Sequence, residues 1–212
     1  MRPGSWTGRC RSTPRSPGST STARPWPGSQ GALASYTFAA HEPPDHGIGR
    51  SHGGLTCKVH LACDGRGRPL GWVLTAGNVN DTTMMTATLD QIRVPRATAG
   101  RPRTRPDRVI ADKGYPSRTN RAWLRARKIA ATIPERDDQI AHRRRRPGRP
   151  IVWDHHQRDR YKGRNVVERS FNKLKTWRGI AMRTDKTARS YRAAIALATT
   201  LLWIKTDLIN TA

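Results

Sequence analysis

The sequence predicts an α/β layer fold, a mixed sheet flanked by helices. Three observations point to it. A period-two stretch with a tight turn lies in residues 52–80. Two short apolar runs follow, one stopping at Asp112 and one at Ile133, with a helical stretch between them. Two helical patterns close the chain. Together they give the alternation β-β-α-β-α-β, which sorts into sheet and helix layers.

Each element has a local reason. In Leu55–Cys63 the residues Leu55, Cys57, Val59, Leu61 and Cys63 alternate with Thr56, Lys58, His60 and Ala62, as in a half-buried strand. Asp64-Gly65-Arg66-Gly67 suits a hairpin turn, and Pro69–Thr75, with Leu70, Trp72 and Leu74, is the returning strand. Asp81-Thr82-Thr83 offers a cap for a helix reaching Ile92. A Pro/Arg-rich loop covers residues 94–107. Val109-Ile110-Ala111 is a short buried strand ending at Asp112. Ser117 caps a helix over Asn120–Lys128, and Ala130–Ile133 is another strand. Residues 135–160 are polar and read as a loop containing the consecutive arginines Arg143–Arg146. Tyr161–Trp177 and Ala188–Ile209 are helical by period. Trp203 lies in the apolar stripe of the last helix and reads as core, and Trp153 and Trp177 read as packing residues.

Residues 1–36 differ from the rest. They contain no Asp or Glu, the first acid being Glu42, and Gly, Pro, Ser and Thr fill 19 of the first 30 positions. With no apolar period, this segment reads as a disordered basic tail. The chain therefore divides into residues 1–37 and a folded domain over 38–212.

Charge bounds the partner. Lys plus Arg is 40 against 15 acids, a formal net charge of +25. Such a field attracts polyanions, so nucleic acid is the expected partner, held either by an enzyme or by a ribosomal-type binder without chemistry. Three cysteines, Cys10, Cys57 and Cys63, without tight spacing argue against a disulfide framework or a Cys-based zinc site and fit a reducing cytosol. The longest apolar run, near residues 193–204, is broken by Thr199 and Thr200 and is too short to span a bilayer. The basic N-terminus has no apolar core of a signal peptide. The expected location is the cytoplasm, in association with the nucleoid. The seven histidines are scattered, and His155-His156 reads as solvated.

Two features carry chemistry. On a helix, Tyr161, Arg164, Glu168 and Lys175 fall within roughly 60° of one another, beside an apolar stripe of Val167, Phe171, Leu174 and Trp177. Alone this is an amphipathic helix with an Arg164–Glu168 ion pair. Asp112 stands where a buried strand stops, and in open α/β sheets ligands collect beyond the carboxyl ends of strands. Alone it is a turn former.

Together these residues resemble a family. Tyr161-x2-Arg164-x3-Glu168-x6-Lys175 is similar to the Y-x2-R-x3-E-x6-K signature of bacterial insertion-sequence transposases of the DDE class, in the group called insertion sequence four and five. Ala111-Asp112-Lys113-Gly114-Tyr115 resembles that family's second-aspartate motif. The stretch from Ile48 to His60 resembles its first hairpin, and Glu168–Lys175 its E-R-x-F-N-x-L-K block. The resemblance covers Phe38 to Ile209. It implies an RNase-H-like domain in which three acids hold two divalent cations, Mg²⁺ or Mn²⁺. Two metals about 3.5–4 Å apart stabilise the attacking and leaving oxygens of a phosphodiester. By resemblance Asp112 and Glu168 are catalytic metal ligands, and Tyr161, Arg164, Lys173, Lys175, Arg50 and Lys113 contact DNA. Arg serves as a forked donor and Lys as a point charge. The implied partners are transposon-end and target DNA and a second copy of the chain.

The family's first acid sits in an Asp-Ser-Thr motif, in a strand well before the Gly53-Gly54-Leu55-Thr56 hairpin. This chain has no acid there. Asp45 lies in a Pro-bounded loop too close to the hairpin, and Asp64 is a turn residue. With one ligand missing, little or no strand transfer is expected, and a DNA-binding remnant or inhibitor of transposition is the alternative. The gap has a candidate origin in the reading frame. With GC-rich codons for Cys10-Arg11-Ser12-Thr13-Pro14, the overlapping frame reads V-S-V-D-S, its aspartate codon spanning Ser12 and Thr13. The same shift over Arg15–Arg24 can give I-A-R-V-H-Q-H-G-P. The gene's nucleotides test this: an Asp-Ser-Thr triplet is expected in the overlapping frame, and its absence removes the explanation.

Overall fold

The chain is organised around a hairpin. The structure, a computed structural model, describes residues 7–9, 45–51, 54–96, 98–145 and 153–209. Strand β3 (Gly54–Cys63) pairs antiparallel with β4 (Pro69–Ala76), from Cys57↔Ala76 to Ala62↔Gly71, with a bulge between Ala62 and Cys63. The turn is closed by Asp64. Its Oδ1 accepts from the amides of Arg66 and Arg68 at 3.0 and 2.9 Å, and its Oδ2 accepts from Arg68 Nε at 2.7 Å. One carboxylate thus satisfies two turn amides and a guanidinium, and Gly67 supplies the left-handed residue (φ 80°) that the turn requires.

Two further short strands pair with β3. β2 (Gly49–Ser51) pairs with its start and β1 (Thr7–Arg9) with its end, β1 on the edge opposite β4. A separate parallel pair joins β5 (Arg108–Ile110) to β6 (Ala130–Thr132). β1 packs beside β5, so it lies between the hairpin and the parallel pair. The N-terminal segment, expected to be disordered, therefore contributes a three-residue strand. The remainder of that expectation lies outside the described residues, as does Cys10, while Cys57 and Cys63 stand as thiols on β3.

Alternation on β3 feeds two cores. Val59, Leu61 and Cys63 meet α5 (Asn165–Lys175) through Val166, Val167, Phe171 and Leu174. They also meet α7 (Ala188–Ile209) through Tyr191, Ile195, Ala198 and Leu202. A short helix α6 (Arg178–Met182), not anticipated from the sequence, adds Ile180. Ala62 points the other way, into a cluster of Met85, Leu89, Ile92, Val109, Ala111, Tyr115, Leu124, Ile129 and Ile133. Burying one such side chain contributes roughly 1.5–3 kcal/mol, so both faces of β3 hold the sheet. Trp203 is half-buried rather than core. Its Nε1 donates to the carbonyl of Pro69 at 2.6 Å and Arg68 covers its ring at 4.2 Å, because the polar edge of the indole needs a partner at the hairpin end. Among the described residues no helix is long and apolar enough to cross a membrane.

Three further differences from the sequence reading have local causes. The cap before α1 (Met85–Asp90) is Asn80, whose side chain accepts from the amide of Thr82, and Asp81–Met84 forms a 3₁₀ turn. Ser117 does cap α2 (Arg118–Ala126), accepting from Asn120. The polar stretch 135–160 holds α3 (Asp137–Arg144) and α4 (His155–Lys162). Neither has an apolar stripe. α3 instead places Asp137 and Asp138 in its first turn and basic residues in its last, matching the helix dipole, and Asp154 caps α4. Finally, the helix expected over Tyr161–Trp177 is divided at Gly163. There the bonding tightens to i→i−3, Gly163 donating to Arg160 and Arg164 to Tyr161 at 3.1 and 3.0 Å, while the dihedrals stay helical.

His60, on β3, is fully buried. Its Nε2 lies 2.8 Å from Thr75 Oγ1, and its Nδ1 has no hydrogen-bond partner among the described residues. Burial lowers its pKa below 6.5; Asp81 pulls it up and Lys58 pushes it down. The pair Lys58–Asp81, 3.0 Å apart, sits in the same region. A histidine kept neutral in the fold but protonated in the unfolded chain loses its stabilising contribution as pH falls below 6.5. The thermal midpoint should therefore drop between pH 7 and 5, and His60→Gln should flatten that slope. An equal slope in the variant would remove His60 as its origin.

Candidate active site

Asp112 follows the buried Ala111 at the end of β5, and the loop after it is braced from several elements. The amide of Tyr115 donates back to the carbonyl of Asp112 at 3.0 Å, and the Tyr115 ring is buried. Thr82 Oγ1, from the 3₁₀ turn, donates to the carbonyl of Gly114. Asn120 is buried in the third position of α2, and its amide donates to the carbonyls of Thr82 (2.9 Å) and Tyr115 (3.3 Å). Gln139 of α3 reaches the carbonyl of Pro116 at 3.4 Å.

From the other side comes the α4–α5 corner. The phenol of Tyr161, near the end of α4, donates to Asp112 Oδ1 at 2.9 Å, across 49 positions of sequence. The Arg164 guanidinium lies 4.5 Å from the centre of the Tyr161 ring, and the Trp153 ring meets Tyr161 edge-on at 5.3 Å. Arg164 Nε is buried with no hydrogen-bond partner among the described residues. Because Gly163 tightens the corner, Tyr161 turns onto Asp112 instead of continuing one straight helix with Glu168 and Lys175.

Glu168 is in the first turn of α5, half-buried, about 6 Å along the axis from Arg164. Lys173 and Lys175 are exposed in the last turn, Lys175 about 10 Å beyond Glu168. Arg50 is exposed on β2. Lys113 is exposed next to Asp112 and lies 3.3 Å from Asp137. The structure therefore joins Asp112, Tyr161 and Arg164 directly and sets Glu168 one turn on. Arg50, Lys173 and Lys175 do not share that cluster of contacts.

Asp112 and Glu168 supply hard oxygen donors, as Mg²⁺ prefers, but the set is short. Among the described residues no group of three or more His, Cys, Asp or Glu is placed to hold a metal ion. The donors fit such an ion in kind and not in number. Sequence reasoning missed Thr82, Asn120 and Gln139, since nothing local in the sequence links residues 82, 114, 116, 120 and 139. Trp153 packs, as expected, against Tyr161 and not in a core.

The Transposase DDE domain family matches residues 21–203, beginning ahead of Phe38, inside the segment set apart by composition. A protein of Burkholderia cepacia named as a transposase for insertion sequence element IS402 is 36% identical over 124 residues, 55% of this chain and 59% of that protein. One of Brucella ovis, named for element IS6501, is 29% identical over 152 residues, 71% of this chain and 100% of that protein. No solved structure matches. The chain thus spans a little over half of the Burkholderia relative. With a family match over most of its length, this chain belongs to the Transposase DDE domain family.

Proposed function

We propose that this chain is the catalytic domain of an insertion-sequence transposase, built for metal-dependent cleavage and transfer of DNA strands, with an incomplete acid set. The observation that carries the reading is the hydrogen bond from Tyr161 to Asp112. It draws together the end of β5 and the corner leading to Glu168, the arrangement that two shared cation ligands need. A second observation supports both the RNase-H-like reading and the gap. β1 packs against β5 and against α5, the two elements that carry Asp112 and Glu168. The residues after β1, Cys10-Arg11-Ser12-Thr13, contain no acid.

This chain's own residues bind and orient. Arg164, a forked donor with a buried Nε, and Lys175, a point charge further along α5, suit the phosphates of a transposon end. Lys113 and Arg50 extend the positive surface, with Lys173 beside Lys175. Tyr161 fixes one oxygen of Asp112 and so sets its orientation. Mg²⁺ or Mn²⁺, when bound at a complete site, supplies charge stabilisation at the reacting oxygens. With two of three ligands, the domain keeps DNA and loses chemistry. The second reading, a non-catalytic remnant or inhibitor, is favoured by that missing acid.

Labelled transposon-end DNA with Mg²⁺ or Mn²⁺ tests this. The expected result is salt-sensitive retention without a metal-dependent product; robust cleavage overturns the incomplete site, and no retention overturns DNA binding. The Tyr161 contact has its own test. Tyr161→Phe should lower stability by about 1 kcal/mol in urea unfolding, the usual net worth of a part-buried hydrogen bond. An unchanged midpoint would show that the phenol does not hold Asp112.

A further inference from the structure

A group of cations stands next to the site and takes no part in it. Between Lys113 and Arg145 there are ten Lys and Arg and only three acids. Two of those acids are engaged: Glu135 takes both terminal nitrogens of Arg143, and Asp137 takes Lys113 at 3.3 Å. The side chains of Arg118, Arg144 and Arg145 are exposed and have no hydrogen-bond or ion-pair partner among the described residues.

These cations are held on a fixed frame. Gln139 and Asp137 tie α3 to Pro116 and Lys113 in the loop after Asp112, and Arg143–Glu135 ties the other end of α3 to the exit of β6. From Asp137 to Arg144 the helix rises about 10 Å. Along its axis a duplex carries one phosphate per strand about every 3.4 Å, so a helix of that length lying along the axis passes roughly three phosphates of each strand.

Helix-dipole pairing explains part of the pattern, because cations favour a helix C-terminus. It does not explain Arg118. That residue opens α2, where the dipole disfavours a cation, and the first turn of α2 has no acid. A phosphate lying over this end offsets both the dipole and the arginine.

We propose that Arg118, Arg144 and Arg145 form a second phosphate-contacting surface, which carries the backbone of a DNA duplex past the Asp112 loop along α2 and α3. This rests on the DNA-handling reading above. It adds a surface that the Tyr161–Lys175 signature does not include.

The test uses the full chain, a short fluorescent duplex of unrelated sequence, no divalent cation, and a salt series. Arg144→Gln/Arg145→Gln should weaken binding at least tenfold and lower the magnitude of the log–log salt slope by about 2, one for each lost phosphate contact. Arg118→Gln should lower it by about 1, which keeps the test open if the double variant fails to fold. Arg189→Gln/Arg192→Gln removes the same charge from the exposed start of α7 and should leave the slope nearly unchanged. Equal losses in both double variants would mean diffuse attraction and overturn the surface. Retention that depends on Arg164 and Lys175 but not on Arg118, Arg144 or Arg145 would overturn the surface alone. An unmutated chain that does not retain the duplex would overturn the DNA reading with it.

Discussion

The fold depends on one strand being buried on both faces. β3 sends Val59, Leu61 and Cys63 to the layer of α5 and α7, and Ala62 to the layer of α1, α2 and β5. A one-residue slip would exchange the two sets. The slip is opposed at the strand's end by Asp64, which fixes the turn through three hydrogen bonds, and by the bulge between Ala62 and Cys63. The same two-sided burial forces His60, a residue that alternation would assign to solvent, into the interior. Its neutral form is then the inexpensive one to bury.

That strand also positions the site indirectly. Holding α5 on one face of β3 fixes where the α4–α5 corner arrives, while the 3₁₀ turn before α1 and α2 itself brace the Asp112 loop through Thr82 and Asn120. The Asp112 loop is therefore held at the carbonyls of Gly114 and Tyr115 from one side, and Asp112 itself by the Tyr161 phenol from the other. A carboxylate braced in this way has its rotamer chosen before any ligand arrives.

Much of this was legible in the sequence, for reasons that differ by residue. The strands of the hairpin and α7 follow from period, and the Ser117 cap from its hydroxyl. The places of Asp112 after a buried strand and of Glu168 on a helix were legible from the apolar patterns beside them. α3 and α4 were not, because their stability comes from charge placement and capping, and a search for apolar stripes passes over both. The break at Gly163 was also hidden, since its dihedrals are helical and only the hydrogen bonding changes. β1 escaped notice because three residues among Gly, Ser, Thr and Pro carry no period; they pair because β3 leaves an edge open.

In the reading proposed above, an incomplete acid set separates two properties that an intact site combines. Binding to DNA draws on many cations, each releasing counterions from a phosphate, and no single group dominates it. Chemistry draws on a few carboxylates whose removal cannot be shared out among neighbours. Those carboxylates also work against binding, because each stands near a phosphate of like charge. Two unit charges 4 Å apart repel by about 1 kcal/mol in water, and by more where water is excluded. Without a cation to neutralise it, an acid at this position weakens DNA contact; its loss removes that repulsion. On the reading proposed above, a chain with +25 net charge and one ligand fewer would bind DNA at least as well as its complete counterpart. On that same reading, such a chain mixed with complete copies would occupy transposon ends without cutting them, so the inhibitory role follows physically from an incomplete acid set.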